Sequence, residues 1–154
     1  MIEEEIIDKI LYEGIEDEER EEVENAILSF SKDGLKRLIE EYNWDDGFRI
    51  PTLIKNNSNC DLKMALELFE LADGYAYLDD KEGFEENNNR YFKEFYKYVI
   101  ELYNEIISGK FGTYDVNKLT TAKMGRVQEF KYNKARQAGL ISEVDRIFYE
   151  SLED

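Results

Sequence analysis

Ile2, Ile6, Ile7, Ile10 and Leu11 recur at three- and four-residue steps, which places them on one stripe of a short first helix ending near Gly14. Residues 16–30 read as a second helix, with Val23, Ala26, Ile27 and Phe30 apolar and acids crowding its first turns, where the positive end of the helix dipole favours them. Residues 31–33 form a cap or turn before a third helix carrying Leu35, Leu38, Ile39 and Tyr42. Asn43-Trp44-Asp45-Asp46-Gly47 then breaks the pattern, two turn-favouring acids and a glycine following the only tryptophan.

A short helix with Phe48, Ile50, Leu53 and Ile54 follows, and Pro51 fits its first turn, where a missing N–H costs nothing. Asn56 to Asn59 end it. Asp61 stands as N-cap of a helix over residues 62–73, with Leu62, Ala65, Leu66, Leu68, Phe69 and Ala72 on a broad apolar face, and Gly74 supplies its stop. Residues 75–83 read as an acidic connector. The longest helix is expected over 85–108, with Phe92, Phe95, Tyr96, Val99, Leu102, Tyr103 and Ile106 as a core stripe. After a loop over 109–116, a basic helix is expected over 117–138 and a last helix over 142–152, with Ser142 and Asp145 in capping-box relation. Only residues 113–116 hint at extended chain.

The pattern predicts an all-α chain, an irregular bundle or short superhelix of seven to eight helices with HEAT- or armadillo-like helix pairs. No second copy of the 59–66 pattern follows residue 84, which disfavours a true solenoid. With 154 residues, one proline and no Gly/Ser-rich stretch, the chain reads as one domain over 1–154, residues 84–154 being its C-terminal helices.

Charge changes the picture. There are 36 acidic and 20 basic side chains, a net of −16, so phosphate backbones and anionic lipid would be repelled. Nucleic acid and membrane are therefore not expected partners. Residues 1–25 hold 12 acids and 2 bases, and residues 61–86 hold 9 and 2, while residues 111–141 reverse to 2 and 6. Such asymmetry fits either internal complementarity or an acidic surface that steers a basic partner. A lone cysteine, an acidic N-terminal stretch and no long apolar run point to the cytoplasm.

Candidate chemistry is sparse. Without histidine the commonest general base is missing, and no phosphate-cradling glycine series occurs, so an enzyme is not expected and no cofactor is called for. Asp45, Asp46, Asp61, Asp73, Asp79 and Asp80 match no calcium-loop spacing and read chiefly as turn and cap residues. Cys60 begins a helix, where a thiol could be activated, yet a small buried hydrophobe is the simpler role. Trp44 is either a core anchor or an exposed recognition residue.

The run Asn43-Trp44-Asp45-Asp46-Gly47, Ile50-Pro51, Asn59-Cys60-Asp61, Ala65-Leu66 and Phe69, closing on Ala72-Asp73-Gly74, resembles the bacterial family called domain of unknown function 4274 over residues 24–80. The resemblance implies a helical protein without assigned chemistry, similar to small acidic proteins carried beside secreted toxins as immunity factors. Its signature positions, Asn43, Trp44, Asp45, Asp46, Gly47, Asn59, Cys60, Asp61, Asp73 and Gly74, carry over as structural: Asp61 as a cap, Gly47 and Gly74 in special backbone angles, Trp44 as a wedge between helices.

The expected function is a protein-binding module, an immunity protein whose acidic surface covers a basic toxin. Glu18, Glu19, Glu21, Glu22, Asp79 and Asp80 are the steering acids, with Tyr75 or Tyr77 as aromatic anchor. The competing readings are a metal-dependent hydrolase using the Asp45/Asp46 and Asp79/Asp80 pairs, a self-associating structural protein, with a homodimer as one form, and mimicry of nucleic acid by the acidic surface.

Overall fold

In the computed structural model, which describes residues 2–86 and 92–153, the first stripe folds as expected but changes winding. Helix α1 (Glu3–Asp8) runs directly into a π-helical turn, Lys9–Glu13, closed by the Gly14 N–H on the Lys9 carbonyl at 2.8 Å with Gly14 at φ +86°. Ile6 and Ile7 are buried, whereas Ile2 is exposed. The second element is shorter than its apolar pattern suggested: a 3₁₀ turn, Asp17–Glu19, leads into α2 (Arg20–Ile27), which buries Val23 and Ile27.

Helix α3 (Lys32–Glu41) begins where local capping dictates, the Ser31 hydroxyl accepting from the Gly34 N–H. The Glu3 carboxylate reaches across from α1 to accept from the Ser31 N–H at 2.6 Å and its hydroxyl at 2.8 Å, placing a negative charge at the positive end of α3. A Cβ on Gly34 would stand 2.6 Å from that carboxyl carbon. Helix α4 (Arg49–Asn56) carries Pro51 in its first turn, as anticipated. Its end is tied to α2: buried Asn57 donates through Nδ2 to the carbonyls of Ile27 (2.8 Å) and Phe30 (3.1 Å), and Asn59 donates to Phe30 as well. These carbonyls belong to the last residue of α2 and the turn after it, the Ile27 carbonyl also accepting from the Phe30 N–H at 3.2 Å.

Helix α5 (Leu62–Leu71) starts at Asp61, whose carboxylate accepts from the Met64 N–H at 2.9 Å. Its end corrects the expectation for Gly74. Asp73, not Gly74, adopts the left-handed conformation (φ +61°), while Gly74 is right-handed helical at φ −63°. The Gly74 N–H bonds the Phe69 carbonyl and the Asp73 N–H bonds the Glu70 carbonyl, the pairing of a Schellman stop. Gly74 is needed for space: a Cβ there would lie 2.5 Å from the Phe69 ring.

The stretch read as a connector is helical, α6 (Tyr75–Asp79) and α7 (Lys81–Glu86). The helix expected over 85–108 begins only at Lys93 as α8 (Lys93–Ile107), with Phe92 exposed rather than in the core; residues 87–91 of that expectation lie outside the described residues. Val99, Leu102, Tyr103 and Ile106 form its buried stripe, packed along α5.

The chain, read from sequence as one domain, gathers into two compact units, Met1–Phe111 and Gly112–Asp154. In the second, the basic helix is shorter than expected, α9 (Arg126–Gln137), and Gly139 closes it at φ +74°. The last expected helix is instead a 3₁₀ segment, Glu143–Phe148, in which Ser142 makes no side-chain cap. It is followed by β2 (Ser151–Leu152), paired antiparallel with β1 (Leu119–Thr120). Paired strand therefore occurs at 119–120 and 151–152, while within 113–116 Asp115 is extended without joining a strand pair. Glu150 explains the change: its carboxylate takes two bonds from Arg146 (2.7 and 3.1 Å) and one from the Tyr132 hydroxyl (2.5 Å), an anchor that fixes the tail against α9. Helix dominates the architecture, an irregular all-α bundle with nine α-helices among the described residues, against the seven to eight expected.

Candidate functional site

The signature turn between α3 and α4 is built by short-range bonds. Asn43 accepts from the Asp45 N–H at 3.1 Å, the Gly47 N–H closes on the Trp44 carbonyl at 3.2 Å, and the buried Tyr42 hydroxyl donates to the Gly47 carbonyl at 2.8 Å. Gly47 sits at φ +98°, as the sequence suggested, a conformation that penalises any side chain. Burial, with Asp46 adding to it, pushes the Tyr42 phenol up to about 12, so it stays a neutral donor at physiological pH.

Trp44 stands among Tyr42 at the end of α3, Phe48 at the start of α4 and Tyr98 of α8. The ring centroids lie 5.8, 5.9 and 6.0 Å away, all edge-on, a geometry that favours aromatic pairs. Its Nε1–H is buried and has no hydrogen-bond partner among the described residues. Phe48 extends the cluster to Tyr98 at 5.2 Å and Phe95 at 6.1 Å, and Tyr98 donates to the Pro51 carbonyl at 3.3 Å.

Three depressions meet at this turn. One of about 320 Å³ is lined by Asp46, Phe48, Arg49, Glu94, Tyr98 and Glu101 among others. Another, of about 480 Å³, lies on the other side of Phe48 and includes Trp44, Asp45, Phe92, Glu94 and Phe95. The third, about 230 Å³, has Ile10, Ile15, Tyr42 and Ile50 in its wall with Arg20, Glu24, Asp46 and Arg49. Arg49 belongs to the first and third, and donates through Nε and Nη2 to both Glu24 oxygens at 3.0 and 2.8 Å, bolting α2 to the turn. Arg49 was not singled out in the sequence, where nothing local marks a lone arginine as the link between two concavities. Phe92 was assigned to the core, and Glu94 and Glu101 went unremarked on a helix read for its buried side.

The other candidate residues divide. Glu18, Glu21 and Glu22 are exposed, whereas Glu19 is engaged: it accepts from Lys9 at 3.1 Å and from the Glu16 N–H at 3.1 Å. These bonds, the Glu16 amide first, hold its carboxyl below the usual range. Tyr77 is corrected outright. It is buried at 3 % exposure against Phe84 and Tyr103 and cannot serve as a surface anchor. Tyr75 is half-buried, edge-on to Phe69. Asp79 is exposed, and Asp80 accepts from the Gly83 N–H at the start of α7. Cys60 is buried, and burial first, then Asp61, pushes its thiol up to about 12, the reverse of an activated thiolate. Among the described residues no group of three or more Cys, Asp or Glu side chains is placed to hold a metal ion, and no helix is long and apolar enough to cross a membrane.

A family model described as Domain of unknown function (DUF4274) matches residues 31–107, a span that contains the whole turn, Asn57 and the Schellman stop. No curated protein and no solved structure matches the chain.

Proposed function

The chain belongs to the DUF4274 family, a membership that assigns no chemistry, and from its own surface we propose that it is a cytoplasmic bacterial protein-binding module, an immunity protein that covers a basic toxin. The observation that carries this reading is a set of exposed acids on one helix together with an aromatic-walled concavity at the signature turn. Glu18, Glu21 and Glu22 are exposed on α2 and the turn before it, and make no ion pair among the described residues. Glu24 on that same helix is bonded to Arg49 at the rim of the depressions. Exposed carboxylates steer an oppositely charged protein through the long-range field. Phe92, 62 % exposed, replaces Tyr77 as the aromatic that a partner would bury, beside Phe48 and Trp44.

The deciding experiment is co-expression with the product of whichever toxin-like gene adjoins its own. A stable complex with restored growth supports the reading; neither binding nor protection overturns it. Charge reversal at Glu18, Glu21 and Glu22 should slow association and flatten its salt dependence, while Phe92→Ala should speed dissociation.

A further inference from the structure

The depression of about 320 Å³ lies between α8 and the start of α4. Its α8 wall is a single helix face, since Glu94, Lys97, Tyr98 and Glu101 follow at i, i+3, i+4 and i+7. The other wall is the signature turn and the first turns of α4, with Asp46, Phe48 and Thr52. The two walls are joined: Tyr98 donates to the Pro51 carbonyl at 3.3 Å, and its ring lies 5.2 Å from that of Phe48. The hollow is thus built into the packing of the two helices, and it is larger than the roughly 150 Å³ cavity that admits benzene.

Charge selects what it would take. Three carboxylates and two cations line it. Arg49 is already matched by both oxygens of Glu24, which lies outside this lining. Lys97 comes only within 4.0 Å of Glu101, and Asp46 and Glu94 make no ion pair among the described residues. Farther along the same two helices, the chain itself shows which group this side of α8 accepts. Lys55 of α4 is 3 % exposed, with Nζ 2.5 Å from Glu105 and 4.0 Å from Glu101, an ammonium group set between α4 and the α8 carboxylates. We propose that the hollow receives one basic side chain of the protein partner, its charge meeting Glu94 and Asp46 and its methylene stem lying along the half-buried Phe48 ring. Arginine suits it best, because a planar guanidinium can serve carboxylates on two walls at once. The proposal rests on the protein-binding reading and not on the partner being a toxin.

The test is an NMR titration of the ¹⁵N-labelled full chain with N-acetyl-arginine N-methylamide, the neutral and nearly isosteric citrulline derivative serving as control. Saturable shifts in the millimolar range are expected at amides of residues 46–52 and 94–101, weakening as salt is raised and absent with citrulline. Asp46→Asn/Glu94→Gln should weaken binding roughly fivefold or more, whereas Lys97→Gln, which removes the competing cation, should strengthen it. Both are surface changes that should leave the thermal melt close to that of wild type. No saturable shift, an equal response to citrulline, or unchanged affinity in the double variant overturns the proposal. Arginine binding without protection on co-expression would support this site and overturn the immunity reading; protection without arginine binding would do the reverse.

Discussion

Asp73 and Gly74 exchange the roles their identities suggest. The acid takes the left-handed angle and the glycine takes an ordinary helical one, because the Phe69 ring occupies the space a side chain at 74 would need. Gly74→Ala should therefore destabilise by about 1–3 kcal/mol through overpacking. Asp73→Gly, at an exposed position, should stabilise by about 0.5–1 kcal/mol by removing left-handed strain. Urea midpoints of the two variants should move in opposite directions; a shared direction would contradict the assignment of the stop. The same reasoning separates the two signature glycines, since a Cβ at Gly47 would meet nothing within 4 Å. There the backbone angle alone excludes other residues.

At the level of elements, the ends of helices carry the information that joins them. Asn57 caps α4 with its N–H on the Ile54 carbonyl, and its side chain also reaches the carbonyls that end α2. Asn57→Ala should cost about 1–3 kcal/mol, the loss of two buried hydrogen bonds between the ends of α4 and α2. Hydrogen exchange should locate the loss: amides of residues 20–30 should lose protection before those of α8. Elements whose ends are set by adjacent residues were legible in the sequence, as at Ser31, Asp61 and Gly47, because a cap or a tight turn is a local interaction. Elements set by distant partners were not. The carboxylate of Glu3 acts on a helix that begins 28 residues on, Tyr77 is drawn inward by Phe84 and Tyr103, and Glu150 converts an apolar pattern compatible with helix into a 3₁₀ turn and strand. The candidate site was half legible: the turn was visible as a motif, but the concavities depend on α2 and α8 arriving beside it.

Across the whole molecule, ion pairs and net charge oppose each other as pH falls. Hydrogen bonds from Arg146, against a burial cost, and from Tyr132 hold the Glu150 carboxyl below its usual range. Burial raises that of Glu105, but bonds from Lys110 and from buried Lys55 outweigh it and leave it lowered too. A carboxyl with a depressed folded-state pKa contributes stability that is complete above its unfolded value, about 4.3 for glutamate, and is lost as pH falls through the folded value. Stability should thus decline below about pH 4.3, and Glu150→Gln should lower the neutral-pH melting temperature while flattening that acid limb in thermal melts. At neutral pH the −16 net charge is self-repulsive, and raising salt to about 0.15 M shortens its reach to about 8 Å; melting temperature should rise over that interval. The single tryptophan gives these experiments a window of their own. An indole walled by three rings, with its N–H buried, should emit toward the blue and shift red when the Met1–Phe111 unit opens. The chain thereby carries an intrinsic optical probe at its signature turn, able to register occupancy of that turn without any label.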